Sequence, residues 1–265
     1  MIEASNLELM SAWAEIGDRT WVRRYDEWDL NVGLVVGADG ALVIDTRATP
    51  EEAEQLREHI RELTDAPVKW VVNTHAHFDH VAGNSVFTDA TVYLHENAAA
   101  EEKLAGTTFA VAKVIDLGDR RVELLYVGNG HTSGDTVVGV PDVNVFFLGD
   151  LIEESAPPSY GEDSFPLEWP DTIQSAIGMM TPDAKIVPGH GAVVDVEFAT
   201  DQAIELGRVA NTISTLHHAG TPLDKALEHT EDWPWPVDKL QDAIRRGYQA
   251  LGTPQRPSLP LLGPG

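Results

Sequence analysis

Val68-Lys69-Trp70-Val71-Val72-Asn73-Thr74-His75-Ala76-His77-Phe78-Asp79-His80 is an apolar run that breaks into three imidazoles and a carboxylate within six positions. Its first half reads as a short buried strand, because β-branched and aromatic residues bounded by turn formers suit a pleated interior surface. Its second half points to a metal. Histidines crowded this tightly repel one another when protonated, and neutral imidazole is the commonest ligand for zinc and its neighbours. A strand that runs into such a loop delivers side chains to the end of a sheet, where open α/β folds keep their sites.

Three further ligand-type residues stand downstream, each in a turn that contains glycine: His131 in Gly130-His131-Thr132-Ser133-Gly134-Asp135, Asp150 in Gly149-Asp150, and His190 in Pro188-Gly189-His190-Gly191. Each turn follows or adjoins an apolar run, at 122–127, 143–148 and 184–187. The repeated order of strand, turn and ligand predicts that all four turns meet at one edge of a layered fold. Five histidines and two aspartates are too many for one ion. A tetrahedral or five-coordinate ion takes three or four protein groups plus water, so two ions that share a carboxylate use the whole set. Gly-Asp and Pro-Gly are ordinary turn signals when met singly, and Asp150 and His190 gain meaning only from order and company. His59, His95, His217, His218 and His229 fall outside these turns and carry no assigned chemistry.

His-x-His-x-Asp-His, followed in order by Gly-His, Gly-Asp and Gly-His, resembles the metallo-β-lactamase superfamily of hydrolases, over residues 20–195. The resemblance implies an α/β fold, a four-layer αβ/βα sandwich. It also implies that His75, His77 and His131 hold a first divalent ion, that Asp79, His80 and His190 hold a second, and that Asp150 bridges them. The ions are expected to be zinc, with iron or manganese as alternatives that the same N and O donors accept. A bridging aspartate looks like the glyoxalase II, lactonase and transfer-RNA-processing branches. Antibiotic-hydrolysing members generally place a cysteine or a non-ligand there, and this chain has no cysteine.

Such a centre implies a metal-bridging hydroxide as nucleophile. Asp79 would be a catalytic residue that passes a proton to the leaving group. Tyr160, the one phenol of residues 151–169, is the second catalytic candidate; lactonase-like relatives use a tyrosine from elsewhere in the chain at the substrate carbonyl. Asp45, Thr46, Thr74, Thr132, Ser133 and Asp135 sit in turns suited to orienting the imidazoles.

The chain has 265 residues, 43% of them apolar, enough for one layered domain with a helical addition. A formal charge of −25 repels phosphate backbones and anionic membranes, so neither nucleic acid nor membrane is an expected partner. The expected partner is a small-molecule substrate, with a homo-oligomer left open. The first residues lack a basic and then apolar leader pattern, and no apolar run reaches the roughly 20 residues of a membrane span. These features predict a cytoplasmic protein.

Strands are predicted at 20–25, 31–36, 41–45, 68–73, 91–94, 114–117, 121–127, 136–140 and 144–148. A helix should start at Pro50 after a Thr49 cap. Helices are further predicted at 97–104, 170–180, 197–219, 223–228 and 237–251, and the proline-containing tail should be irregular. Residues 1–195 would form the catalytic domain, with 196–265 a helical C-terminal part packed on it. Residues 151–169 lack periodicity and read as a lid or pocket wall beside the site.

The predicted function is a binuclear metal-dependent hydrolase of a small ester, lactone, thioester or amide. One alternative is a persulfide dioxygenase-like oxidoreductase, with a single iron on His75, His131 and Asp150. A β-lactamase is disfavoured by the aspartate at the bridging position and by the missing export signal, a phosphodiesterase or nuclease by the charge.

Overall fold

A computed structural model describes residues 12–252; the proline-containing tail lies outside them. Its first sheet takes strands β1 (Ala14–Gly17), β2 (Thr20–Arg24), β3 (Asn31–Gly37), β4 (Gly40–Ile44), β5 (Val68–Val72), β6 (Thr91–His95) and β7 (Thr107–Phe109), in that spatial order. Strands β1 to β4 form an antiparallel meander, and β4 to β7 run parallel. The second sheet is ordered β12 (Lys185–His190), β11 (Val145–Glu153), β10 (Val137–Val140), β9 (Arg121–Leu125), β8 (Ala112–Asp116), antiparallel except for the β11–β12 pair.

Three apolar cores separate four layers. Val35, Leu42, Ile44 and Val72 of the first sheet meet Val122, Leu124, Val138 and Phe147 of the second. Helix α1 (Pro50–Leu63) lays Ala53, Leu56 and Ile60 on the outer face of the first sheet, where Leu34, Val43 and Val71 wait. Its start is fixed by Thr49, whose hydroxyl accepts the Glu52 amide at 3.1 Å, with proline at the first helical position. Short helices α2 (Phe78–Val81) and α3 (Glu96–Glu102) follow β5 and β6. Helices α4 (Trp169–Ile177), α5 (Val196–His218), α6 (Leu223–Glu228) and α7 (Gln241–Leu251) complete the chain. Ile173, Leu206, Val209, Ile213 and Ile244 from this group share a core with Phe146, Leu148 and Ile186 of the second sheet. The architecture is thus the predicted αβ/βα sandwich with helical C-terminal residues.

Two predicted boundaries differ in ways that matter for the site. Strand β11 does not stop at Leu148 but continues through Asp150 to Glu153. Gly149 makes this possible: its φ of +52° bends the strand, and a side chain there would meet the Thr74 hydroxyl, 2.6 Å from an ideal Cβ. Residues 154–168 form the irregular segment, which is shorter than the sequence suggested. No helix among the described residues is long and apolar enough to cross a membrane.

Candidate metal centre

Strand β5 ends at Val72, and the chain then turns so that Thr74, His75, Asp79 and His80 are all buried. Asp45, just past β4 with φ +65°, organises this turn. One of its oxygens accepts the Thr74 amide at 2.8 Å; the other accepts the Thr74 hydroxyl at 2.8 Å and faces His80 Nδ1 at 2.8 Å. His131 comes from the loop after β9, Asp150 from the bend in β11, and His190 from the end of β12. The seven residues singled out in the sequence, drawn from positions more than a hundred residues apart, lie around one point at the edge of both sheets.

Two groups share Asp150 as their link. Donor atoms of His75, His77, His131 and Asp150 lie within 4.8 Å of one another, and so do those of Asp79, His80 and His190. Asp150 Oδ2 faces His131 Nε2 at 3.4 Å and His75 Nε2 at 3.8 Å, while its Oδ1 faces His80 Nε2 at 3.2 Å and His190 Nε2 at 3.3 Å. Asp79 Oδ2 stands 3.6 Å from His80 Nε2 and 3.5 Å from His190 Nε2. A tetrahedral ion with bonds of about 2.0–2.1 Å to imidazole sets its donors about 3.3 Å apart, so these spacings suit coordination. Gly189 permits the arrangement, because an ideal Cβ at that position would fall 1.9 Å from Asp150 Oδ1.

The donor set passes a second test. His75 Nε2, His80 Nε2 and Asp150 Oδ1 are buried and make no hydrogen bond among the described residues. Orphaned polar atoms at such depth are costly, and here they converge. The opposite nitrogen of each histidine is occupied. Thr74 Oγ1 lies 3.2 Å from His75 Nδ1, Asp163 Oδ2 3.0 Å from His77 Nε2, Ser159 O 3.0 Å from His131 Nδ1, and Trp28 O 2.6 Å from His190 Nδ1. With Asp45 on His80, each ring is held so that one nitrogen points inward, the arrangement by which partners fix ligand tautomers. The residues present therefore fit divalent cations.

Electrostatics follow from burial and pairing. Burial pushes His75 well below the ordinary imidazole range and His131 down to about 4, so both favour the neutral, ligating form. Burial works against protonation of His80 and His190 as well, but the negative charge of Asp150 outweighs it and lifts His190 to about 9 and His80 well above its usual value. For Asp150 burial opposes ionisation, yet the surrounding histidines hold it well below the usual carboxylate range.

Of the six orienting candidates, Asp45 and Thr74 touch ligands. Thr132 and Asp135 bond to each other within the His131 turn, Thr46 holds the His80 carbonyl, and Ser133 turns away to Glu101. Tyr160 is buried. It packs in the apolar core against Trp169, its hydroxyl is buried without a hydrogen-bond partner among the described residues, and burial alone holds it well above the ordinary phenol range. Residues 154–168 are likewise no free lid: Ser159 O meets His131, the Phe165 amide donates to Gly130 O at 2.9 Å, and Tyr160 and Ser164 are buried.

Two residues beside the centre escaped the sequence reading. Asp163 lies in an aperiodic stretch that offers no signal. Glu153 had one, as the acid that ends the apolar run Leu151-Ile152, and one of its oxygens lies within 4.8 Å of a donor on Asp150 and one on His190.

Comparison with known proteins places this geometry. Residues 25–190 match the metallo-beta-lactamase superfamily. The chain is 26% identical over 173 residues to the metallo-beta-lactamase type 2 of Bacillus sp. (strain 170), spanning 62% of this chain and 67% of that protein. It is 29% identical over 106 residues to the hydroxyacylglutathione hydrolase of Erythrobacter litoralis (strain HTCC2594), spanning 39% of this chain and 41% of that one. Among solved structures, a metallo-beta-lactamase from Pontibacter korlensis superposes with a TM-score of 0.64 at 27% identity, covering 73% of this chain and 97% of its own.

Proposed function

The chain belongs to the metallo-β-lactamase superfamily and is a hydrolase, and we propose that it uses two divalent ions, zinc in the first instance, to cleave a small ester, lactone, thioester or amide. The observation that carries this reading is the split of Asp150, whose two oxygens face two different sets of imidazoles. A single iron on His75, His131 and Asp150 would leave Asp79, His80 and His190 gathered to no purpose, which favours hydrolysis over the dioxygenase alternative. Where antibiotic-hydrolysing members generally place a cysteine or a non-ligand stands Asp150, which supports a glyoxalase II-like or lactonase-like branch.

When bound, such ions act as Lewis acids toward a carbonyl and supply hydroxide at neutral pH. The protein's own residues do the rest. His75 and His131 present neutral nitrogens fixed by Thr74 and Ser159, and Asp163 fixes the His77 ring, so little reorganisation is needed as charge develops. Asp79 opens α2, and its Oδ1 takes no hydrogen bond among the described residues, which leaves that oxygen free to hold a proton for the leaving group. The excess of acid over base argues for an uncharged or cationic small substrate and against nucleic acid.

Metal analysis of the chain purified without chelator should find two ions per chain. His77→Ala should abolish turnover of a chromogenic ester or lactone while circular dichroism stays unchanged; full activity in that variant would refute the two-ion reading.

A further inference from the structure

Glu153 ends β11, three residues beyond Asp150, and an undisturbed strand would turn the two to opposite faces. The β11–β12 register instead slips between Gly149 and Glu153, so that Glu153 pairs with His190 itself. The side chain is 7% exposed. Ser155 Oγ donates to Oε1 at 2.7 Å, and Oε2 takes no hydrogen bond among the described residues.

The backbone around it is tied down. The Glu153 amide donates to Gln202 Oε1 at 3.0 Å, the Glu154 amide to His190 O at 3.1 Å, and Glu154 Oε2 accepts the Ala192 amide at 2.7 Å. Among the described residues, no Lys or Arg pairs with Glu153. A carboxylate buried beside a second carboxylate and lacking a basic partner requires a cation if it is to carry charge. A separate observation marks where that cation belongs: Asp150 Oδ1 and His80 Nε2, both buried and both unpartnered, face the same space.

Resting on the two-ion reading, we propose that Glu153 is a further ligand of the ion held by Asp79, His80 and His190. The two sides of the centre then differ in chemistry. One offers three imidazoles and a shared carboxylate oxygen, a set suited to zinc. The other offers two imidazoles and up to three carboxylates, a harder, oxygen-rich set that accepts manganese(II) or iron(II) more readily.

The test uses the full chain, stripped with chelator and titrated with manganese(II) alone by equilibrium dialysis, with the manganese EPR spectrum as a second readout. Glu153→Gln should weaken manganese binding by about tenfold or more, the usual consequence of losing a group at a metal site, and should change the EPR pattern, while a separate titration of the stripped variant with zinc alone should still load one ion on the His75, His77 and His131 side. Ser155→Ala, which leaves the carboxylate in place, should change manganese affinity by less than about threefold. Wild-type affinity and spectrum in Glu153→Gln would overturn the assignment. Should that variant not fold, Glu153→Asp takes its place, with weaker manganese binding supporting the assignment and unchanged binding overturning it. A wild-type chain that binds only one divalent ion of any kind would instead sink the two-ion reading, so the two failures are distinguishable.

Discussion

Residues 74–80 and residues 154–168 reach the same imidazoles by opposite means. The first stretch is held by a buried charge: Asp45 alone satisfies the Thr74 amide, the Thr74 hydroxyl and His80. The second is held by apolar burial, with Tyr160 packed on Trp169, and touches the ligands through the Ser159 carbonyl and the half-buried Asp163. Hydrogen bonds to a charge fix direction to a fraction of an ångström, whereas apolar packing fixes only position. The stretch that supplies four ligands uses the directional device, and the stretch that merely braces them uses the other.

The largest effect should come from cutting the polar anchor. Asp45→Ala leaves buried donors on Thr74 and His80 unpaired and should cost about 3–5 kcal/mol of stability, read by urea denaturation of the metal-free chain, together with loss of the ion on the Asp79, His80 and His190 side. Retention of both ions with wild-type stability would erase the contrast between the two stretches.

The His131 turn lies between them, joined to one through Thr136 N to Thr74 O at 2.7 Å and to the other through Phe165 N to Gly130 O. Its Asp135 is pushed up to about 7 from 3.8, chiefly by burial and partly by the charge of Asp150, with the Thr132 amide and hydroxyl pulling the other way. A carboxyl raised in the folded state keeps a proton that the unfolded chain releases. Its contribution is therefore most favourable below about pH 4, declines as pH rises toward about 7, and is constant above. Measured against Asp135→Asn, the wild-type urea midpoint should fall across that window; parallel curves for the two proteins would show that Asp135 does not titrate there.

The smallest effect should follow from the apolar brace. Tyr160→Phe removes a buried hydroxyl that has no partner, so it should leave turnover unchanged and raise stability by about 1 kcal/mol. A fall in turnover without a change in stability would put the phenol in the reaction.

How legible each stretch was follows the same division. Residues 74–80 announce themselves because histidines and an aspartate at this density, after a buried strand, have few uses other than metal binding. The glycines of the remaining ligand turns were visible too, although only the structure gives their reasons: Gly149 bends a strand that continues, and Gly189 makes room for Asp150 Oδ1. Asp163 was silent, because its partner His77 lies 86 positions away and no local periodicity marks the contact. The burial of Tyr160 was not legible, since a phenol in an irregular stretch looks exposed until Trp169, nine positions on, is seen to cover it.

The order of apolar runs, turns and ligand-type residues determined by itself the layered α/β fold, the family and the side chains that could meet a metal, because strand periodicity and donor chemistry are local properties. Which oxygen of Asp150 faces which imidazole, the slip that brings Glu153 beside His190, and the burial of Tyr160 were decided by the tertiary structure alone. Each depends on a register or a packing contact between segments far apart in the chain, and such distances close only when the two sheets stack.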